Sequence, residues 1–169
     1  ALHHLDVLLH AGHRHRLLAQ RPHRRVPRPD LEDWSQRRIL ADRNGPLYRS
    51  YAAWLERLAA TLAALGTDGI ALGLMNEPQA ECRNPEGVDW IEHQRDLFAR
   101  VRAVALGLTV VLTTGCWSDI AGLVWLDLSG YDRNVLIDVH TYRPFSFTHQ
   151  GADWTLPGLR TMAGLSFPA

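Results

Sequence analysis

An alternation of short apolar runs with long amphipathic ones constrains the fold more than any other feature of this sequence. Residues 69–75, 109–114 and 134–139 have strand length and are mostly apolar. The continuity of the first two runs is typical of strands buried on both faces. Residues 47–65 and 88–105 carry apolar side chains at helical spacing. Because strands and helices alternate at intervals of about thirty residues, the pattern predicts βαβ units and a parallel sheet.

Composition excludes several classes of protein. With 46% hydrophobic and 21% charged residues among 169, the chain has the make-up of a globular domain rather than of a disordered one. The formal net charge is zero, so no overall field attracts nucleic acid or an anionic membrane surface. No apolar run reaches the roughly 18 residues of a membrane-spanning helix. We therefore expect neither a nucleic-acid nor a membrane partner.

Residues 13–29 interrupt this orderly pattern. The stretch is rich in arginine, proline and histidine and contains no acidic or aromatic residue, so neither a regular helix nor a base-stacking surface is expected. A flexible segment and the product of a shifted reading frame are both open interpretations, and a nucleic-acid-binding patch ranks below them. We therefore divide the chain into an irregular segment, 1–29, and a folded part, 30–169.

Polar residues follow each of the three expected strands. Asn76-Glu77-Pro78-Gln79 comes after the first, residues 115–119 after the second, and residues 140–144 after the third. In parallel α/β folds the carboxyl ends of the strands meet at one rim and carry the functional groups. An amide, a carboxylate, an imidazole, a phenol and an indole would thus converge there, which is a plausible set of groups for binding a sugar.

Three stretches of the sequence resemble one known family. LGLMNEPQ at 72–79, VLIDVHTYRPFSFTHQGADW at 135–154 and PGLRTMAGLSFP at 157–168 are similar to segments of family-5 glycoside hydrolases, the cellulase-like members of a large (β/α)8-barrel clan. The resemblance covers roughly residues 31–169. It implies an α/β fold, a partial TIM barrel with strands 3 to 6 and their helices.

The same resemblance implies an activity and its setting. We expect retaining, endoglucanase-like hydrolysis of β-1,4-glucan or related β-glycans, with an oligo- or polysaccharide as substrate and neither a metal nor an organic cofactor. The parent enzyme is expected to be a monomer and to work extracellularly or in the periplasm, although no signal peptide is visible in this sequence. A non-catalytic carbohydrate-binding remnant of such a barrel is the alternative.

The family's motifs assign roles to four positions. The resemblance implies that Glu77 is the general acid/base, that Asn76 bonds the sugar 2-hydroxyl, and that His140 and Tyr142 line the −1 subsite. A general acid at neutral pH needs a raised pKa, which an apolar barrel mouth and a second carboxylate provide. Structural alternatives remain: Glu77 as a cap or an arginine partner, and His140 as a hydrogen-bonded core residue.

The indoles and the thiols allow more than one interpretation. Trp117 is a candidate substrate-binding residue because it follows the second strand, yet packing is the preferred interpretation for both Trp117 and Trp125. Cys82 and Cys116 follow adjacent strands and have the opportunity to approach each other, but two free thiols are the favoured prediction. The chain holds only these two cysteines, too few for a disulfide framework or a Cys-pair zinc site.

The second carboxylate of the proposed chemistry is missing. A retaining glycosidase needs two carboxyl groups about 5–5.5 Å apart, and in this family the nucleophile is a glutamate that ends strand 7. No acidic residue follows Asp153, and at about 31 residues per βα unit strand 7 is due near or beyond residue 169. We expect an incomplete barrel with uncovered apolar faces, inactive by itself and prone to aggregation.

Overall fold

A computed structural model describes residues 35–80 and 89–167 of the chain. The predictions for the segment 1–29 lie outside these residues. The described residues fall into two compact units, 35–139 and 140–167, and each is treated by itself below. Within the described ranges, no helix is both long enough and apolar enough to cross a membrane.

The first unit is an α/β structure built from three helices and three strands. In chain order these are α1 (Gln36–Leu40), α2 (Pro46–Leu65), β1 (Ala71–Gly73), α3 (Trp90–Val104), β2 (Thr109–Thr113) and β3 (Val135–Asp138). A tight turn, Gly115–Ser118, and a 3₁₀ helix, Ile120–Trp125, lie between β2 and β3. The long helices and the strands predicted from periodicity are therefore confirmed, with β1 shorter than its apolar run.

The three strands form one parallel sheet in the order β1-β2-β3. Leu72 lies opposite Val110 in the first pair of strands, and Leu112 lies opposite Ile137 in the second. Both pairs run parallel, as the alternation of strands and helices predicts, because a helix must carry the chain back before the next strand begins. The carboxyl ends of all three strands therefore lie at the same edge of the sheet.

The core of this unit lies between the two long helices and the first two strands. Its fully buried side chains come from every one of these elements; they include Tyr48, Leu55, Leu72, Leu97, Val101, Val110 and Leu112. Helix α2 ends where the sequence predicts, at Gly66, whose φ of 98° is a conformation that glycine adopts without steric penalty. Helix α3 is capped at its start by Asp89, whose carboxylate accepts the backbone N–H of Glu92.

The sequence analysis did not predict α1. Five residues are too few to show helical periodicity, but Ser35 caps the helix by accepting the N–H of Arg38. Ile39 and Leu40 are buried in the core cluster and anchor this short helix to the rest of the unit.

The second unit has little regular structure, as its prolines and glycines predict. It contains two single-turn helices, α4 (Phe145–Thr148) and α5 (Pro157–Arg160). The side chain of Gln150 joins distant parts of it, because its amide nitrogen donates to the carbonyls of Phe147 and Leu165 while its oxygen accepts the N–H of Leu165. The unit is thus held by polar contacts more than by an apolar core.

Candidate active site

Asn76 and Glu77 lie three and four residues beyond the carboxyl end of β1, at the edge of the sheet where the sequence places them. Both are half-buried. Helix α2 fixes the backbone at the end of this strand, since the Tyr51 hydroxyl donates to the carbonyl of Leu74 at 2.6 Å. Glu77 has a φ of 43°, in the left-handed region that a non-glycine residue seldom adopts. Strained residues of this kind are concentrated at functional sites.

Gln36 contacts the backbone on both sides of Glu77. Its amide nitrogen donates to the Asn76 carbonyl at 2.5 Å, and its amide oxygen accepts the Gln79 N–H at 3.2 Å. Sequence reasoning missed this residue, because the two partners lie 40 and 43 positions away along the chain. No motif or periodicity indicates such a contact.

The turn that follows β2 lies against the same loop. Its residues Cys116, Trp117 and Ser118 all have φ near 60°, a left-handed conformation that costs roughly 1–2 kcal/mol per residue. The Cys116 N–H donates to the Ala80 carbonyl at 2.8 Å, and the Trp117 N–H donates to the Pro78 carbonyl at 3.1 Å. The structure therefore brings Asn76, Glu77 and the backbone of Trp117 together at one end of the sheet.

Cys116 forms a disulfide. The expectation of two free thiols was therefore wrong, since spacing along the chain does not show whether two cysteines approach each other in space. The only other cysteine in the sequence is Cys82, which lies outside the described residues.

The two indoles considered from the sequence are both about half exposed. Trp117 is 50% exposed and Trp125 is 58% exposed, so neither is enclosed in the core cluster. Trp117 lies four residues after the end of β2, in the left-handed turn. Its exposed ring stays available for stacking on a ligand, and its role as a substrate-binding residue stays a prediction.

His140 and Tyr142 belong to the second unit, where they lie next to each other. The Tyr142 hydroxyl is 3.5 Å from His140 Nδ1, and the two rings meet edge to face. His140 is half-buried rather than fully enclosed, which argues against the alternative of a core histidine.

A second histidine, His149, supports Tyr142 and was not singled out from the sequence. Its buried ring contacts those of Tyr142, Phe145 and Trp154. The Thr148 hydroxyl donates to the Tyr142 carbonyl at 2.6 Å and lies 2.7 Å from His149 Nδ1. Because the hydroxyl has one hydrogen, His149 Nδ1 must be the donor in the second contact.

The described part of the chain offers no arrangement of ligands for a metal ion. No group of three or more histidine, cysteine, aspartate or glutamate side chains in residues 35–80 and 89–167 is placed to hold one. The chemistry available at the first unit's edge is thus a carboxylate, two amides and an indole, which suits recognition of hydroxyl groups and proton transfer.

Comparison with known proteins finds relatives for part of this chain. No protein-family model matches the sequence. Among curated proteins, the chain is 27% identical to Endoglucanase 3 of Fibrobacter succinogenes over 113 residues, 67% of this chain and 17% of that protein. It is 31% identical to Cellodextrinase A of Ruminococcus flavefaciens over 115 residues, 66% of this chain and 32% of that protein.

The fold of the chain is also similar to that of a solved structure. Thermotoga maritima Cel5A in complex with cellobiose superimposes with a TM-score of 0.59 at 23% identity, covering 72% of this chain and 38% of Cel5A. Structures of this kind are TIM-barrel enzymes, and the three-stranded parallel sheet is consistent with part of such a barrel. The chain is similar to the cellulase-like glycoside hydrolases of family 5, which confirms the resemblance drawn from its motifs. It spans about a third or less of the length of the curated relatives it matches.

Proposed function

We propose that this chain carries the acid/base part of a retaining, endoglucanase-like glycoside hydrolase that acts on β-1,4-glucan or related β-glycans. The observation that carries the proposal is the half-buried Glu77, in a left-handed conformation in the loop that follows β1. Similarity to an endoglucanase and a cellodextrinase supports the class of substrate.

Glu77 is the proposed general acid and base. In the first step its carboxyl protonates the glycosidic oxygen as the bond to the anomeric carbon breaks, and in the second it takes a proton from the attacking water. Asn76 precedes it on the same loop and is proposed to bond the 2-hydroxyl of the same sugar. The Gln36 contacts and the backbone bonds to Pro78 and Ala80 support these roles, because they hold the loop in one conformation.

The remaining candidates contribute binding surface. The exposed Trp117 ring is proposed to stack on a sugar face, since an indole offers a large apolar surface with little conformational entropy to lose. His140 and Tyr142 are proposed to line the −1 subsite, and their mutual contact together with the Thr148 and His149 contacts supports a fixed Tyr142 hydroxyl.

The same family resemblance indicates which strands of a barrel β1, β2 and β3 correspond to. We propose that β1, β2 and β3 are the fourth, fifth and sixth strands, within a partial barrel domain over residues 30–169. A retaining mechanism needs a second carboxylate as nucleophile, and no acidic residue follows Asp153. We propose that the chain by itself does not hydrolyse glycosides. The alternative is a non-catalytic carbohydrate-binding remnant of such a barrel.

We further propose an extracellular or periplasmic location and a monomeric parent enzyme with neither nucleic-acid nor membrane partners. The disulfide at Cys116 supports the location, since disulfides form and persist in oxidising compartments.

External azide tests the proposal, because it can replace the missing nucleophile. In this reaction an azide nitrogen bonds to the anomeric carbon of phenyl β-cellobioside, the bond to the phenol oxygen breaks, and Glu77 delivers its proton to that oxygen. We expect slow phenol release that depends on azide. Glu77→Gln should lower the rate by about 10²–10⁴-fold, the usual contribution of a general acid.

Two controls sharpen this experiment. 2,4-Dinitrophenyl β-cellobioside has a leaving group that needs little protonation, so Glu77→Gln should affect its rate far less. Asp68→Asn removes a carboxylate at the opposite, amino end of β1 and should change neither rate. Binding of cellotetraose without azide-dependent release from either substrate would replace the hydrolase proposal by the binding remnant.

A further inference from the structure

The side chain of Gln36 bonds to both ends of the loop of residues 76–79, which contains Glu77, and can therefore set the conformation of that loop. Gln36 is the first residue of α1, and the buried Ile39 and Leu40 tie that helix to the core. The orientation of its amide is fixed by its partners. The Asn76 carbonyl can only accept and the Gln79 N–H can only donate, so the nitrogen must face the first and the oxygen the second.

These two bonds bracket the strained residue. The bonds from the turn after β2 reach Pro78 and Ala80, which both lie downstream of Glu77. Gln36, by contrast, contacts the carbonyl just before Glu77 and an N–H two residues after it. A left-handed φ at a non-glycine residue persists only when its surroundings over-determine it. The direction of the Glu77 side chain follows from that φ, because the φ sets the direction of its Cα–Cβ bond.

We propose that Gln36 is a positioning residue that holds the Glu77 carboxyl in the direction required for proton transfer. The inference rests on the proposed function, to which it adds a residue outside the strand-end motifs. Gln36 acts through the backbone of residues 76–79 rather than by touching substrate. Its loss should therefore alter Glu77 without unfolding the unit.

Three variants separate this role from a structural one. Gln36→Ala removes both bonds. Gln36→Glu keeps the acceptor for the Gln79 N–H but places a carboxylate oxygen against the Asn76 carbonyl. Arg37→Ala is the matched control, because Arg37 is the next residue of the same helix and is exposed.

The measurements are made by NMR and calorimetry on the whole chain. In Gln36→Ala we expect the Gln79 amide to exchange with solvent about tenfold faster and cellotetraose to bind about fivefold more weakly, as the loss of one or two hydrogen bonds implies. The ¹³C resonance of the Glu77 carboxyl and its pH titration should also change. Gln36→Glu should retain slow exchange at Gln79 yet alter the Glu77 titration, and Arg37→Ala should leave all of these as in the wild type.

The outcomes for the two proposals are distinguishable. A Glu77 carboxyl resonance and titration that stay at wild-type values in both Gln36 variants overturn the positioning role, whatever the chain binds. A wild-type chain that does not bind cellotetraose overturns the proposed function instead. In that case the Glu77 resonance still decides whether Gln36 sets the conformation of the loop.

Discussion

Strands β2 and β3 are neighbours in one sheet, yet they differ in how their apolar side chains are covered. Val110 and Leu112 of β2 are fully buried. In β3, Leu136 is 48% exposed and Ile137 is 44% exposed. The first two strands pack with α2 and α3 in one core cluster. Between β2 and β3, by contrast, the chain forms a tight turn and a 3₁₀ helix whose large apolar residues are themselves exposed.

The difference shows where the free energy of folding of the first unit originates. Burying a leucine side chain contributes on the order of 1.5–3 kcal/mol, so the buried side chains of β2 stabilise the unit. The apolar side chains of β3 stay partly in contact with water and contribute less. The uncovered face also agrees with the expectation that part of a barrel exposes apolar surface, which favours aggregation. The following predictions test how far the covered and uncovered regions differ.

The largest expected effect separates two leucines on adjacent strands. Leu112→Ala should lower the free energy of unfolding by about 2–5 kcal/mol, because it leaves a cavity among buried neighbours. Leu136→Ala should cost less than about 1 kcal/mol, since the side chain is half in water. Urea denaturation followed by circular dichroism measures both. Equal losses would show that β3 is covered in solution, by a second copy for example.

A smaller effect is expected where the 3₁₀ helix meets the end of β2. A Cβ atom on Gly122 would lie 2.6 Å from the Cβ of the buried Thr114, so Gly122→Ala should destabilise the unit by about 1–3 kcal/mol through overpacking. Gly158→Ala is the matched control, because nothing lies within 4 Å of its added Cβ. Thermal unfolding compares the two, and a neutral Gly122→Ala would mean that the 3₁₀ helix is easily displaced.

Much of the covered region could be predicted from the sequence, and much of the site's support could not. Helices α2 and α3 are long enough to show a period, and the apolar runs of β1 and β2 reflect burial on both faces. Asn76 and Glu77 could be placed because the end of a strand fixes where its following residues lie. Gln36, the disulfide of Cys116 and the left-handed turn depend on contacts between distant segments, which local patterns do not encode.

A buried phenol joins α2 to the residue that follows β1. Burial raises the pKa of Tyr51 above its usual range. Its neutral form therefore contributes stability that is fully present below about pH 10, the pKa in the unfolded chain, and is lost as the pH rises beyond it. Tyr51→Phe should cost on the order of 1 kcal/mol at pH 7 through the lost bond to Leu74.

The same variant should also flatten the fall in stability above pH 10. Tyr48 keeps part of that pH dependence in the single variant, because burial and then its hydrogen bond to Asp96 also raise its pKa. The double variant with Tyr48→Phe should therefore be flatter still. Urea denaturation from pH 8 to pH 11 measures the slope, and an unchanged slope in both variants would contradict the assignment of this pH dependence to buried phenols.

The smallest effect is expected at the outer, exposed face of α3, where charge rather than burial operates. The Glu92 carboxylate accepts from Arg43 at 3.2 Å and from Arg95 at 3.0 Å, and these hydrogen bonds, with that from Arg43 first, lower its pKa. A lowered pKa gives stability that is present above the pKa of the unfolded chain and lost as the pH falls through the pKa of the folded chain.

Because water and salt screen exposed pairs, Glu92→Gln should leave the melting temperature at pH 7 equal to that of the wild type within experimental error. It should remove only a slight fall near pH 4, visible at low salt and absent in 1 M NaCl. A loss at pH 7 as large as that of Tyr51→Phe would show that the exposed face of α3 contributes as much to stability as the buried contact between α2 and β1.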